Sequence, residues 1–164
     1  MKNKIRLMCL AGVFTAIVFV FTAYVHIPNH TGYTHIGDGF IYLCATLLPL
    51  PYSIFAGATG ALFADLFSGY AIWAPGTVII KAVTVLYFSR QGKMLSVRNL
   101  LALIPAGLTC IAGYCLYEAA ITANFVAPLA GIPGYVTQWV LSSAVFVIVA
   151  MIFDKLGFKK LILK

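Results

Sequence analysis

Lys81 is the residue whose position most needs a chemical explanation. It is the one charge in the apolar stretch Pro75–Phe88. A charged side chain at membrane depth costs several kcal/mol unless it finds a partner or water, so it marks a candidate functional site. Asp65, near the end of another apolar stretch, is the expected counter-ion. Such a pair either ties two helices together or presents charge to a ligand, and it can do both. The Lys81 stem is also long enough to snorkel toward the outer face. Asp38, in His35-Ile36-Gly37-Asp38-Gly39, reads as a helix N-cap whose carboxylate accepts backbone N–H groups. Glu118 and Tyr114 share a helix face at i, i+4 spacing and could address one cavity. A glutamate near the end of a span can equally reach interfacial water. Asp154 is expected to be solvated.

The remaining polar groups suggest binding rather than catalysis. All three histidines fall between His26 and His35. Their gaps of four and five residues have no nearby carboxylate except Asp38, so metal is not expected. A loop carrying Asn29 and His35 could instead cover an organic ligand with hydrogen-bonding groups, or be an ordinary polar surface loop. Tyr70 and Trp73 are placed either to anchor the chain at the membrane interface or to stack on a flat ring. Cys9, Cys44, Cys110 and Cys115 lie in apolar stretches without a C-x-x-C or Cys/His pattern, and read as packing residues. There is no phosphate-binding glycine loop, no H-E-x-x-H pattern and no evident nucleophile–base pair. No enzymatic activity and no cofactor are expected.

The elements that must position these residues follow from composition. Of 164 residues, 62% are hydrophobic and 9% charged, against about 25% charged in a soluble domain. An all-α membrane protein is therefore expected, a single integral membrane domain over residues 1–164. Glycines and prolines divide it into six spans, at about 5–25, 37–48, 52–67, 75–88, 100–121 and 135–153. The second and fourth are short for a hydrocarbon core about 30 Å thick. They must borrow flanking residues or have their ends buried in protein.

Charge then sets the orientation. Lys2, Lys4 and Arg6 precede the first span. Arg90, Lys93 and Arg98 lie around the fourth-to-fifth connection, and Lys155, Lys159, Lys160 and Lys164 follow the sixth. The connections at 26–36, 68–74 and 122–134 carry no Lys or Arg. With six spans the basic segments share one side, and both termini are expected in the cytoplasm. The net charge of +7 is thus spent on topology, and a contiguous basic face for nucleic acid is not expected. The first apolar run is long for a secretory signal and lacks a clear cleavage site, so it reads as a retained helix.

Several runs together carry a family resemblance. They are Gly37-Asp38-Gly39-Phe40-Ile41-Tyr42-Leu43, Pro49-Leu50-Pro51-Tyr52, Gly57 through Tyr70, Trp73-Ala74-Pro75 and Ile79-Ile80-Lys81. This region, roughly 34–86, resembles the substrate-binding S components of energy-coupling factor (ECF) transporters. It is most similar to the small ones labelled for riboflavin, hydroxymethylpyrimidine or pyridoxine-type substrates. The resemblance implies a six-helix bundle in a bacterial plasma membrane, capturing a vitamin or precursor from outside for ATP-driven uptake. It also implies partners, namely a membrane coupling subunit and two ATPases. In that family small residues on the first helix pack against the coupling subunit, and Gly12 and Ala16 hold the corresponding positions here, with glycine in place of the usual alanine. Ala11 and Thr15 form an adjacent small pair, and Gly57 and Ala61 repeat the spacing on the third helix, where it would serve internal packing. The ligand is then expected beneath the first outer loop. Asp65, Tyr70, Trp73, Lys81, Tyr114 and Glu118 would surround it, with His35, Asp38 and Asn29 contributing. The alternative is a self-sufficient proton-coupled secondary transporter acting as an oligomer, with Asp65 or Glu118 relaying protons; an intramembrane enzyme or an assembly subunit would be a further departure.

Overall fold

The computed structural model describes residues 2–28 and 32–163. Seven helices are present among them: α1 (Lys2–Ala23), α2 (Gly37–Leu47), α3 (Leu50–Phe67), α4 (Ala74–Val85), α5 (Val97–Thr122), α6 (Ile132–Lys155) and α7 (Phe158–Leu163). A small antiparallel hairpin, β1 (His26–Pro28) and β2 (Tyr33–His35), joins α1 to α2, with His26 opposite His35. Single 3-10 turns at Ala71–Trp73 and Ala127–Gly131 lead into α4 and α6.

Local sequence explains the boundaries. Prolines stand in the first turn of α3, α4 and α6, where the missing N–H costs nothing. Ser96 caps α5 by accepting the Asn99 N–H, so that helix starts three residues before the expected position. Helix α4 stops at Val85 rather than Phe88 because the following connection is pinned elsewhere. The Asn99 side chain accepts the Ser89 N–H at 2.7 Å and donates to the carbonyls of Ser89 and Met94. Asp154, expected to be solvated, instead accepts the N–H groups of Met94 at 3.0 Å and Leu95 at 2.8 Å. A carboxylate at the end of α6 thus satisfies two donors of a tight turn that has no helix to bond to.

Four helical stretches are long and apolar enough to cross a membrane: Asn3–Ala23, Leu50–Phe67, Val97–Thr122 and Ala127–Lys155. Ala71–Val85 is a shorter apolar one. Large apolar side chains such as Met8, Phe55, Ile104 and Ile148 point outward, an arrangement suited to a lipid surface and not to water. Helix α2 differs. Of its eleven residues all but Phe40 are buried, and it packs against α1, α3, α4 and α6. Its close fit to α6 needs Gly39: a Cβ there would lie 2.6 Å from the Ser142 carbonyl oxygen, a backbone atom that cannot swing aside. Tyr42 on α2 stacks on Phe88 and meets Phe146 edge-on at the centre of the main core.

The two ends of the bundle are chemically distinct. At one end Arg6 donates to the Leu161 carbonyl, and the Lys159 ammonium donates to the carbonyls of Thr46, Gly92 and Arg90. Partial burial lowers the Lys159 pKa from its ordinary value. The hairpin, Asp65 and Trp73 gather at the other end, where the chain carries no Lys or Arg in its connections.

Candidate ligand-binding site

Helix α2 places Asp38 deep inside the bundle, and this rearranges the expected charge pairing. The counter-ion of Lys81 is Asp38, not Asp65: the ammonium nitrogen lies 2.8 Å from Oδ1 and donates to Oδ2 at 2.9 Å. Lys81 is 1% exposed and Asp38 2%, so Lys81 does not snorkel outward. Asp38 is not an N-cap either. Ile36 occupies that position without a side-chain cap, and the Asp38 carboxylate is committed sideways. Its Oδ2 also accepts from Gln138 Nε2 at 2.9 Å, with Cys110 Sγ at 4.0 Å. Lys81 sits 5.0 Å from the centre of the Tyr114 ring, adding a cation–π contact. One ion pair therefore joins α2, α4, α5 and α6, and Cys110 lies against it rather than serving only as filler.

A small cavity lies between this pair and the hairpin. Gly32, Tyr33, His35, Asp65, Trp73, Thr77, Tyr114, Tyr135 and Gln138 line it, and it measures about 30 Å³, room for one or two waters. Four aromatic rings form much of its wall. Tyr114 stacks on Tyr135 with centres 5.4 Å apart, and Trp73 meets Tyr114 edge-on at 6.0 Å. Tyr33 bridges the hairpin to α3 by donating its hydroxyl to Asp65 Oδ1 at 2.6 Å. Burial, with the Asp65 carboxylate next in effect, raises the Tyr33 pKa and keeps the phenol a donor. Thr77 shares a hydrogen bond with the Tyr114 hydroxyl at 3.2 Å.

His35 fastens the hairpin to α2. Its Nδ1 accepts the Gly37 N–H at 3.2 Å, which requires the neutral ring with its proton on Nε2. Burial lowers its pKa from 6.5 to about 4, outweighing the attraction of Asp38. The unfolded chain therefore takes up this proton at a higher pH than the folded one. Stability from His35 is fully present above pH 6.5 and is lost as pH falls toward 4, by roughly 3 kcal/mol across the interval. Melting temperature measured between pH 7 and pH 5 should fall accordingly. His35→Asn, whose Oδ1 can replace Nδ1 as acceptor, should flatten that slope.

The structure brings together Asp65, Trp73, Tyr114 and His35 at the cavity wall, with Lys81 and Asp38 beneath it through Gln138. Glu118 is 1% exposed and does not reach interfacial water; its Oε2 accepts the Tyr135 hydroxyl at 3.1 Å, behind the wall. Tyr70 is outside the cavity lining; its ring meets Tyr33, centres 4.8 Å apart, and its N–H donates to the Asp65 carbonyl at 2.8 Å. Asn29 lies outside the described residues. Tyr33, Thr77, Tyr135 and Gln138 were not singled out from sequence. Thr77 precedes Lys81 by four residues and so shares its face, a signal that was available. Gln138 is the only side-chain amide in α6, and the cost of burying a polar group in an apolar span applies to it as it does to a charge.

The small residues of the bundle divide between two faces. Ala11 is buried, whereas Gly12 and Ala16 are exposed along one line of α1. No atom lies within 4 Å of where a Cβ on Gly12 would stand. Gly57 packs against Ile41 and Ala61 is 1% exposed, so that pair works inside the bundle.

A family model described as "ECF-type riboflavin transporter, S component" matches residues 2–155. No curated protein matches the chain.

Proposed function

We propose that this chain, which belongs to the family of ECF-type riboflavin transporter S components, captures a vitamin or vitamin precursor from outside the cell and hands it inward. As a family member it is a substrate-binding subunit of an ECF transporter and a membrane protein. In this proposal six helices cross a bacterial plasma membrane, with both termini cytoplasmic. The gathering of Arg6, Arg90 and Lys159 at one end of the bundle supports that orientation, since basic residues collect on the cytoplasmic side.

The observation that carries the reading is the cavity at the opposite end, walled by four aromatic rings and holding a buried carboxylate. Flat rings bearing a few polar groups, as in hydroxymethylpyrimidine, pyridoxine, thiamine or riboflavin, suit such a wall. At about 30 Å³ the cavity is smaller than any of these, so its lining must rearrange to admit one. The chain does no covalent chemistry in this account. Energy for inward release comes from a coupling membrane subunit and two ATPases.

The test is a thermal-shift screen of the purified chain against those four compounds. A ligand that prefers the folded state raises stability by mass action, about 2.7 kcal/mol at a hundredfold excess over Kd. One of them should raise the melting temperature, and Trp73→Ala should diminish the rise. A screen in which no vitamin or precursor shifts melting contradicts the reading.

A further inference from the structure

Asp65 is a buried carboxylate with one oxygen lacking a hydrogen-bond partner among the described residues, although Thr77 lies close enough to favour its charge. It is 5% exposed and lines the cavity. Its Oδ1 accepts the Tyr33 hydroxyl, but its buried Oδ2 has no hydrogen-bond partner among the described residues. Lys81 does not supply the missing charge at contact, because its ammonium is held by Asp38 at 2.8 Å. That pair is the only Lys/Arg–carboxylate contact among the described residues. An ionised carboxylate offers acceptor sites for about four donors, and leaving it unpaired away from water costs several kcal/mol. Trp73, Tyr114 and Tyr135 line the same cavity, and aromatic rings are electron-rich on their faces and attract cations.

Granting that the cavity is the ligand site, we infer that its ligand is a basic aromatic nitrogen heterocycle, bound as a cation, whose protonated ring nitrogen donates to Asp65 Oδ2. The ring then lies beside Trp73 in the aromatic wall, and binding supplies both the donor and the charge that Asp65 lacks. The flavin ring fits this position poorly. It is neutral, and the N–H of its pyrimidine-dione edge is flanked by two carbonyl oxygens that would face the carboxylate. A cation-binding carboxylate thus selects against riboflavin, the substrate in the family's description.

Two probes of the same shape but different basicity separate the cases: 4-amino-5-hydroxymethyl-2-methylpyrimidine and its 4-oxo analogue, whose ring is not basic. Titration calorimetry on the detergent-purified chain should show the amino compound binding about 10- to 100-fold tighter than the oxo compound, the range expected for a hydrogen bond to a charged group. In Asp65→Asn, which keeps the shape and the Tyr33 acceptor, the ratio should collapse toward one. Riboflavin or the oxo compound binding as tightly as the amino compound would overturn the inference while leaving a vitamin-binding role intact. An undiminished ratio in Asp65→Asn would overturn it as well. Should Asp65→Asn fail to fold, the ratio on the unaltered chain decides. Failure of thiamine, pyridoxine, riboflavin and both pyrimidines to bind would remove the binding-site reading itself.

Discussion

Lys81→Met should lower the stability of the chain by about 3–5 kcal/mol, the cost of leaving a buried charge without its partner. Asp38 would be stranded at 2% exposure with only the Gln138 amide and the Cys110 thiol near its Oδ2. Four helices meet at this carboxylate, so the damage should extend beyond the binding cavity. The informative companion is Lys81→Met with Asp38→Asn. The neutral pair removes both charges, and the new amide can still accept from Gln138. Replacing a whole buried ion pair is often close to neutral, so the double variant should recover most of the lost stability. Thermal unfolding in detergent, followed by size-exclusion recovery, measures both. A single variant as stable as the original chain, or a double variant no better than the single one, would show that the pair does not hold the bundle.

Gly12→Phe should leave folding and ligand binding unchanged and abolish association with the coupling module. Gly12 and Ala16 present a smooth, exposed line on α1, with nothing within 4 Å of the missing Gly12 Cβ. In lipid, helices associate by close packing of small residues, and a phenyl ring on that line would hold a partner helix several ångströms away. Co-purification of the coupling subunit should fall to background, together with ATP-driven uptake. The ligand-induced melting shift of the isolated chain should persist. Loss of that shift would place Gly12 in internal packing, and retained association would move the docking surface elsewhere.

Much of the fold was legible because composition and apolar length act through the bilayer's thickness, a one-dimensional constraint. The ordering of helices about one another is not one-dimensional. Sequence points to Asp65 as the partner of Lys81 because Asp65 lies near the outer end of its apolar stretch. The outcome turned on α2, whose apolar length falls short of a span but which sits at the bundle's centre and carries Asp38 to Lys81. The glycines that permit this, Gly39 against Ser142 and Gly57 against Ile41, are visible in sequence, but the surfaces they meet are not. The hairpin was missed because three-residue strands are too short to show alternation, and Pro28 argues against a strand. Asp154 was misread because its partners, the N–H groups of Met94 and Leu95, are some sixty positions away in the chain. Charged groups were found by their cost in an apolar run, whereas the neutral Gln138 and Thr77 escaped that filter.

Uptake by reconstituted vesicles tests the central claim most directly. Labelled hydroxymethylpyrimidine, thiamine, pyridoxine and riboflavin would be offered to vesicles holding the chain alone or with the coupling subunit and both ATPases. A binding subunit predicts accumulation of one compound only in the full assembly and only with ATP inside. Accumulation by the chain alone, driven by a proton gradient, would contradict the account and establish a self-sufficient transporter.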